Sequence, residues 1–213
     1  KTLIDFEHVD ITLPEKDLQM EAKILKVAPE EVYNRKKMLQ YETDQAEVIV
    51  ESYATEEEVL LAWMRLIQRT NPDLVTGYNI FGFDFKYVYD RASYLGILDQ
   101  FCYLGRTAGV KSTLVEQKLS SAALGDNTLY YISMNGRILI DLYNVVQKQV
   151  SLSSYKLDDV CREFLFKNKV DITPAQIFTK QKGSATDRRI IAEYCLIDCI
   201  LCNRLMDKLE ILT

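Results

Sequence analysis

The chain has 213 residues, of which 48% are hydrophobic and 27% are charged. This composition is ordinary for a globular protein and excludes a disordered, collagen-like or low-complexity chain. The 26 basic and 31 acidic residues give a net charge of −5, which argues against a protein whose main task is to wrap duplex DNA, because such binding requires surplus Lys and Arg.

Clear secondary-structure patterns begin after residue 45. Residues 1–45 give weak, interrupted signals, and residues 48–50 predict a strand. Thr55 and Glu58 have the spacing of a capping box, in which the Thr55 hydroxyl accepts from the Glu58 N–H and the Glu58 carboxylate reaches back. This box predicts the start of a helix that ends before Asn71.

The middle of the chain predicts a strand, a turn and a second helix. Residues 74–77 are a short buried strand, and a helix over about 84–95 ends at Gly96. Residues 97–135 are polar and aromatic, with weak strand signals near 128–133.

The last third of the chain again alternates a strand with helices. The predicted elements are a strand at 138–142 and helices at about 142–149, 157–166 and 187–210. Thr186 is the predicted cap of the terminal helix. Strands that alternate with helices predict an α/β layer structure, and since no linker interrupts the pattern we expect a single domain over residues 1–213.

Asn79 and Asp84 form the first candidate site. They lie between a buried strand and a helix, and ligands of open α/β sheets collect beyond the carboxyl ends of strands. Gly82 would allow a ligand or another backbone to approach closely. The alternative is a plain turn in which Asn79 and Asp84 bond to local backbone groups.

Tyr194 and Asp198 form the second candidate site. Their four-residue spacing places both side chains on one face of the terminal helix. That face is otherwise apolar, and a buried aspartate is costly unless it is paired or binds a cation. The alternative is a salt bridge to Arg188, Arg189 or Arg204.

Separated carboxylates beside a tyrosine suit phosphodiester hydrolysis with two metal ions. Carboxylate oxygens are the ligands that Mg²⁺ or Mn²⁺ prefers, and two ions need about three or four carboxylates in total. Asp84 and Asp198 supply two, so at least one further carboxylate is needed.

The cysteine content and hydropathy predict the compartment. The five cysteines are an odd number and do not suggest a disulfide framework. Cys195, Cys199 and Cys202 have helical spacing, and we expect buried small hydrophobic residues there, with a soft-metal site as the alternative. No apolar run is long enough to span a membrane and no signal peptide opens the chain. We therefore expect a protein of the nucleus or cytosol, not secreted.

The two candidate sites together resemble motifs of the family B DNA polymerases. Tyr78, Asn79, Phe83 and Asp84 are similar to the second exonuclease motif, and Tyr194 with Asp198 is similar to the third. The segments that resemble the delta-type replicative branch are residues 54–58, 72–79, 136–137, 140–142 and 154–157. Residues 121–127 resemble versions in large DNA viruses, and the resemblance covers residues 46–213.

This resemblance implies a 3′–5′ proofreading exonuclease domain with an RNase H-like (DnaQ-type) fold, in which a mixed central sheet is flanked by helices. Asp84 and Asp198 would bind two Mg²⁺ or Mn²⁺ ions, and Tyr194 would orient the attacking water. The residues that would hold the 3′ end of single-stranded DNA are Tyr78, Asn79 and Phe83. The implied reaction hydrolyses the last phosphodiester and releases a 5′-deoxynucleotide.

The first motif of the family, Asp-x-Glu on the opening strand, has two possible placements. Asp5 and Glu7 have the right residue types and would complete the catalytic and metal-binding carboxylates. Residues 8–17 instead look like the segment that follows this motif in viral relatives, which would place the motif at or before Lys1. In that alignment the chain is a fragment that cannot assemble both metals.

The polymerase signatures of the family are not found in this sequence, so we expect no nucleotidyl transfer by the chain itself. Its partners would be a single-stranded DNA 3′ end and the polymerase domains of a parent protein, nuclear or, if viral, cytoplasmic. Two alternatives stay open. One is a structural module that braces a polymerase, and the other is an RNase H-like nuclease that acts on RNA.

Overall fold

The strands of the computed structural model pair two by two. They are β1 (Thr2–Leu3), β2 (Ile49–Val50), β3 (Leu74–Gly77), β4 (Leu114–Ser121), β5 (Gly125–Ile132) and β6 (Ile138–Asp141). β1 pairs with β2 and β4 with β5, both antiparallel, whereas β3 and β6 are parallel. The structure describes residues 2–3, 49–121, 125–165 and 172–212.

The helices complete a mixed α/β structure, as predicted. They are α1 (Glu56–Thr70), α2 (Asp84–Tyr94), α3 (Leu98–Phe101), α4 (Leu142–Gln149), α5 (Leu157–Leu165), α6 (Pro174–Gln181) and α7 (Ala185–Lys208). The chain divides into two compact units. The central unit is Ser52–Ser153, and the terminal unit combines Lys1–Glu51 with Ser154–Thr213.

Helix α1 begins and ends where the sequence predicts. The Thr55 hydroxyl accepts from the N–H of Glu58 at 3.2 Å, and the Glu58 carboxylate accepts from the N–H of Ala54 at 2.9 Å. The helix ends at Asn71, which adopts the left-handed conformation with φ 46°. Side-chain capping of the first turn and a left-handed residue at the end satisfy backbone groups that the helix itself leaves unpaired.

The core of the central unit lies between α1, α2, α3 and the β4–β5 hairpin. Its buried side chains are Leu60, Ile67, Phe85, Ala92, Ile97, Phe101, Leu104, Ile132 and Met134. Trp63 of α1 stacks on Phe101 of α3, with ring centroids 5.8 Å apart. Removal of this apolar surface from water stabilises the unit and fixes α2 against the hairpin.

The β4–β5 hairpin is longer than the weak signals near 128–133 predict. Its register runs from Leu114 opposite Ile132 to Ser121 opposite Gly125. The middle of β4, residues 116–118, is polar and exposed, so it lacks the apolar alternation by which a half-buried strand is recognised.

The terminal unit contains α7 packed against α5 and α6. Thr186 is not the cap of α7, so that prediction is wrong. Ser184 caps the helix: its hydroxyl accepts from the N–H of Asp187 at 3.2 Å, and the Asp187 carboxylate accepts from the N–H of Ser184 at 3.0 Å. Ser184 is the cap because it lies three residues before Asp187, the spacing at which both hydrogen bonds of a capping box can form. No helix within the described ranges is long and apolar enough to cross a membrane.

Candidate active site

The candidate site lies at the carboxyl ends of the parallel strands β3 and β6. Their register places Gly77, the last residue of β3, opposite Asp141, the last residue of β6. A turn over residues 78–83 follows β3, and α4 follows β6. Two chain segments therefore leave the same edge of the sheet, the place where α/β proteins bind ligands.

The Asp141 carboxylate bridges these two segments. One of its oxygens accepts from the backbone N–H groups of Asn79 at 2.7 Å and Tyr143 at 3.0 Å. The other accepts from the N–H of Phe81 at 2.9 Å and the side-chain amide of Asn144 at 3.1 Å. Asp141 is only 2% exposed, and these four donors offset the cost of burying it.

The turn is closed by its own backbone. Asn79 has φ 61°, and its carbonyl accepts from the N–H groups of Gly82 and Phe83, each at 3.1 Å. A Cβ atom at Gly82 would lie 2.2 Å from the side-chain oxygen of Asn79. Gly82 therefore permits a close approach, but the approaching group is the Asn79 side chain and not the ligand or other backbone that the sequence predicted.

Asp84 is the first residue of α2 and is exposed. The turn fixes the position of Asp84, because the Ile80 carbonyl accepts a hydrogen bond from the N–H of Phe85, the residue after Asp84, at 3.1 Å. Partial loss of hydration raises the pKa of the Asp84 carboxyl, and a hydrogen bond from its own backbone N–H opposes that rise. A carboxylate that is short of hydration gains from a cation beside it.

Asp141 and Asp84 share one electrostatic environment. Burial raises the pKa of Asp141, whereas the N–H groups of Phe81, Asn79 and Tyr143 lower it. The charge of Asp84 raises it further. A negative charge on Asp84 therefore opposes ionisation of Asp141.

Exposed aromatic rings lie beside Asp84. Phe83 is 59% exposed and Tyr87 is 51% exposed, and the two rings stack with centroids 5.4 Å apart and planes inclined by 14°. Tyr78 is half-buried and meets the ring of Tyr143 edge-on, with a centroid distance of 5.8 Å. The Phe83–Tyr87 pair thus presents an aromatic surface to solvent, and the sequence analysis missed Tyr87.

Tyr194 and Asp198 lie one turn apart on α7 in the terminal unit, and both are half-buried. Of the arginines considered as partners, Arg188 donates to the Gly183 carbonyl and Arg189 to Glu193. Asp84 belongs to the central unit, so the convergence of Asp84 with Asp198 stays a prediction.

The predicted metal ligands lie only partly within the described residues. Asp84 supplies an exposed carboxylate of the hard type that suits Mg²⁺ or Mn²⁺. Asp141 does not supply another, because each of its oxygens already accepts from two donors. Across residues 2–3, 49–121, 125–165 and 172–212 no group of three or more His, Cys, Asp or Glu side chains could hold a metal. Asp5 and Glu7 lie outside these ranges.

The cysteine prediction is correct for one residue. Cys202 is buried, whereas Cys195 and Cys199 are exposed. The buried residues of α7 all lie in its C-terminal part, from Leu201 to Met206. The apolar face seen in the sequence therefore extends further along α7 than the buried contact does.

Asp141 is a second site residue that was not predicted from the sequence. Its segment, residues 140–142, entered only as part of the family resemblance. The signal was available, because Asp141 ends an apolar strand and precedes a helix, the same context that singled out Asn79 and Asp84.

Acidic residues at the carboxyl ends of parallel strands are typical of a ligand site in an α/β protein, and comparison with known proteins assigns its family. Residues 12–160 match the family described as DNA polymerase family B, exonuclease domain. This match includes Asp84 and Asp141. The chain therefore belongs to the exonuclease domain family of the family B DNA polymerases, which confirms the resemblance.

Similar proteins include both viral and cellular polymerases. The chain is 36% identical to a DNA polymerase of Pyramimonas orientalis virus, over 74% of this chain and 18% of that protein. It is 37% identical to the DNA polymerase delta catalytic subunit of Mesocricetus auratus and 40% identical to that of Arabidopsis thaliana, over 76% of this chain and 15% of each relative. The chain thus spans less than a fifth of the length of these relatives.

Proposed function

We propose that this chain is the 3′–5′ proofreading exonuclease domain of a replicative family B DNA polymerase. It hydrolyses the last phosphodiester of a single-stranded DNA 3′ end and releases a 5′-deoxynucleoside monophosphate, on an RNase H-like fold. Family membership supports the class of reaction. The observation that carries the proposal is the exposed Asp84 carboxylate, held at the carboxyl ends of β3 and β6 beside an aromatic surface.

The reaction requires two Mg²⁺ or Mn²⁺ ions, which when bound supply an activated water and stabilise the leaving oxygen. Asp84 and Asp198 would hold them, together with Asp5 and Glu7 if these form the first motif. Tyr194 would orient the water for in-line attack on phosphorus. The bond from phosphorus to the preceding 3′ oxygen breaks, and that oxygen leaves with a proton from solvent.

The substrate would be held by its bases. Phe83 directly precedes α2, and Tyr87 lies in its first turn. The two exposed rings stack on each other. Unpaired bases stack on such rings whatever their sequence, whereas paired bases are not free to do so. This arrangement favours a frayed single-stranded end over a duplex, as proofreading requires.

The alternative is a structural module that braces the polymerase domains of a parent protein. It is favoured by the incomplete carboxylate set of the described residues. The two proposals differ in whether the isolated chain shortens DNA.

The test is an incubation of the chain with Mn²⁺ or Mg²⁺ and a 5′-labelled single-stranded DNA. We expect stepwise shortening from the 3′ end, none in the presence of EDTA, and little shortening of RNA of the same sequence. An inert chain in both metals supports the structural module, and comparable shortening of RNA supports the RNA nuclease. Either result contradicts the proposal.

Replacement of Phe83 by Ala should raise KM for single-stranded DNA by about tenfold, because loss of one base–aromatic stacking contact costs roughly 1–3 kcal/mol. The value of kcat should change little, since the proposed contact of the ring is with a base and not with the phosphodiester that is cleaved. Tyr94→Ala is the matched control, because Tyr94 is an aromatic residue of the same helix and 79% exposed. An unchanged KM in Phe83→Ala, or an equal rise in Tyr94→Ala, would argue against the stacking role.

A further inference from the structure

We infer that Asp141 is a positioning residue for the reaction at Asp84: its buried carboxylate holds the turn from which α2, and with it Asp84, begins. The inference rests on the proposed function, because the reaction that Asp141 would support is the proposed hydrolysis of DNA. Its physical basis is the set of contacts around the carboxylate.

The hydrogen bonds of Asp141 connect two parts of the chain that are far apart in sequence. Two of its donors, Asn79 and Phe81, lie 62 and 60 residues before it. The other two, Tyr143 and Asn144, lie in the first turn of α4. An ordinary helix cap needs only the bond to Tyr143, so the two long-range bonds require a further explanation.

The turn needs such an anchor. Asn79 has φ 61°, a left-handed conformation that non-glycine residues adopt at some cost. Its N–H and that of Phe81 point to the same carboxylate, so both are fixed by one rigid group at the end of β6. Charge-assisted bonds of this kind are stronger than bonds between neutral groups.

Backbone hydrogen bonds connect the segment that Asp141 holds to Asp84. The carbonyl of Asn79 accepts from Phe83, the residue before Asp84, and the carbonyl of Ile80 accepts from Phe85, the residue after it. Both flanks of Asp84 are thereby tied to the segment that Asp141 holds. Loss of the anchor would let Asp84 shift while the rest of the core stays in place.

Asp141 acts through position and not as a ligand. Both oxygens are saturated with donors, and the side chain is buried. Its substitution should therefore alter the turnover step, where geometry matters most, and spare substrate binding at the exposed aromatic pair. A misplacement of about 1 Å is enough to lower a rate by about 10²-fold.

The experiment compares Asp141→Asn and Asp141→Ser with wild type in the full chain. Asn keeps one accepting oxygen but turns its amide N–H₂ toward one pair of donors, and Ser can cap α4 but cannot reach Asn79 or Phe81. We expect kcat on single-stranded DNA to fall by about 10- to 100-fold in both, with KM within about threefold of wild type. Thermal unfolding of each variant shows that it is folded under the assay conditions.

Thr55→Ala is the matched control. It removes the side-chain cap of α1 in the same unit and leaves the turn untouched, so it measures the effect of a lost cap alone. Asp141 variants with wild-type kcat, or with no larger loss of kcat than Thr55→Ala, would overturn the inference.

A second readout separates this inference from the proposed function. The backbone amides of Asn79 and Phe81 should exchange with solvent deuterium at least about tenfold faster in Asp141→Asn than in wild type, because each loses its charged acceptor or gains a repelling donor. If the wild-type chain does not hydrolyse DNA, the proposed function fails, and unchanged exchange at both amides would still overturn the role of Asp141. Faster exchange at these two amides and not at the end of α1 would support it.

Discussion

Replacement of Asp84 by Asn should lower the rate of 3′-end hydrolysis by about 10³-fold. Asn is nearly the same size but lacks the negative charge that holds a divalent cation, and loss of several kcal/mol of transition-state stabilisation corresponds to a factor of this order. The effect should appear in kcat, because Phe83 and Tyr87 remain free to bind the bases. A time course of strand shortening at saturating DNA and Mg²⁺ measures it.

Asp90→Asn provides the control for this substitution. Asp90 lies on the same helix, is exposed and pairs with Lys86 on the surface, so its loss of charge should leave the rate within about twofold of wild type. Should Asp84→Asn retain more than a tenth of the wild-type rate, Asp84 would not be a metal-binding carboxylate of this reaction.

Arg137→Met should lower the free energy of unfolding by about 2–4 kcal/mol. The guanidinium Nε donates to the Leu104 carbonyl at 2.8 Å and one terminal nitrogen donates to the side chain of Asn71 at 3.1 Å. That nitrogen also donates to the Pro72 carbonyl, and the other reaches the Ile67 carbonyl at 3.4 Å. One side chain thus ties the end of α1 to two loops, and Met would leave partly buried carbonyl groups without a donor.

The favourable charge at the carboxyl end of α1 is lost with Arg137 as well. Urea unfolding followed by circular dichroism gives the free energy. Arg65→Met is the control, because Arg65 makes a hydrogen bond to the Leu61 carbonyl on the exposed side of the same helix. Its change should stay within about 0.5 kcal/mol, and equal losses in the two variants would show that Arg137 has no special structural role.

Local signals in the sequence predicted most of the central unit. The capping box of Thr55 and Glu58 fixed the start of α1, and the apolar runs before Gly77 and Asp141 marked β3 and β6. Each of these signals depends on residues a few positions apart, so the information is contained in a short window of sequence. The position of Asp84 between a buried strand and a helix then made it a candidate site residue, and the family resemblance agreed.

Features that depend on distant contacts were not predicted. The role of Asp141 follows from bonds to residues about sixty positions away, and no local pattern reports such bonds. β4 was missed because its polar residues are held by pairing with β5 and not by burial. The exposure of Cys195 and Cys199 likewise does not follow from their helical spacing.

Helix α6 was missed for a different reason. Thr173 caps it, with Pro174 as its first residue and Gln176 closing a capping box. These residues carry a readable start signal. The large apolar residues of this helix, Ile177 and Phe178, are adjacent and do not repeat at helical spacing, so the start signal stood alone.

The proposed function requires that Asp84 and Asp198 bind the same divalent cations. The most direct measurement is titration of Mn²⁺, followed by electron paramagnetic resonance, into wild type, Asp84→Asn, Asp198→Asn and the double variant. If the ions are shared, each single variant loses most of the Mn²⁺ affinity and the double variant loses little more. Losses that multiply in the double variant, or Mn²⁺ binding that is unchanged in Asp198→Asn, would show that the two carboxylates do not form one metal site.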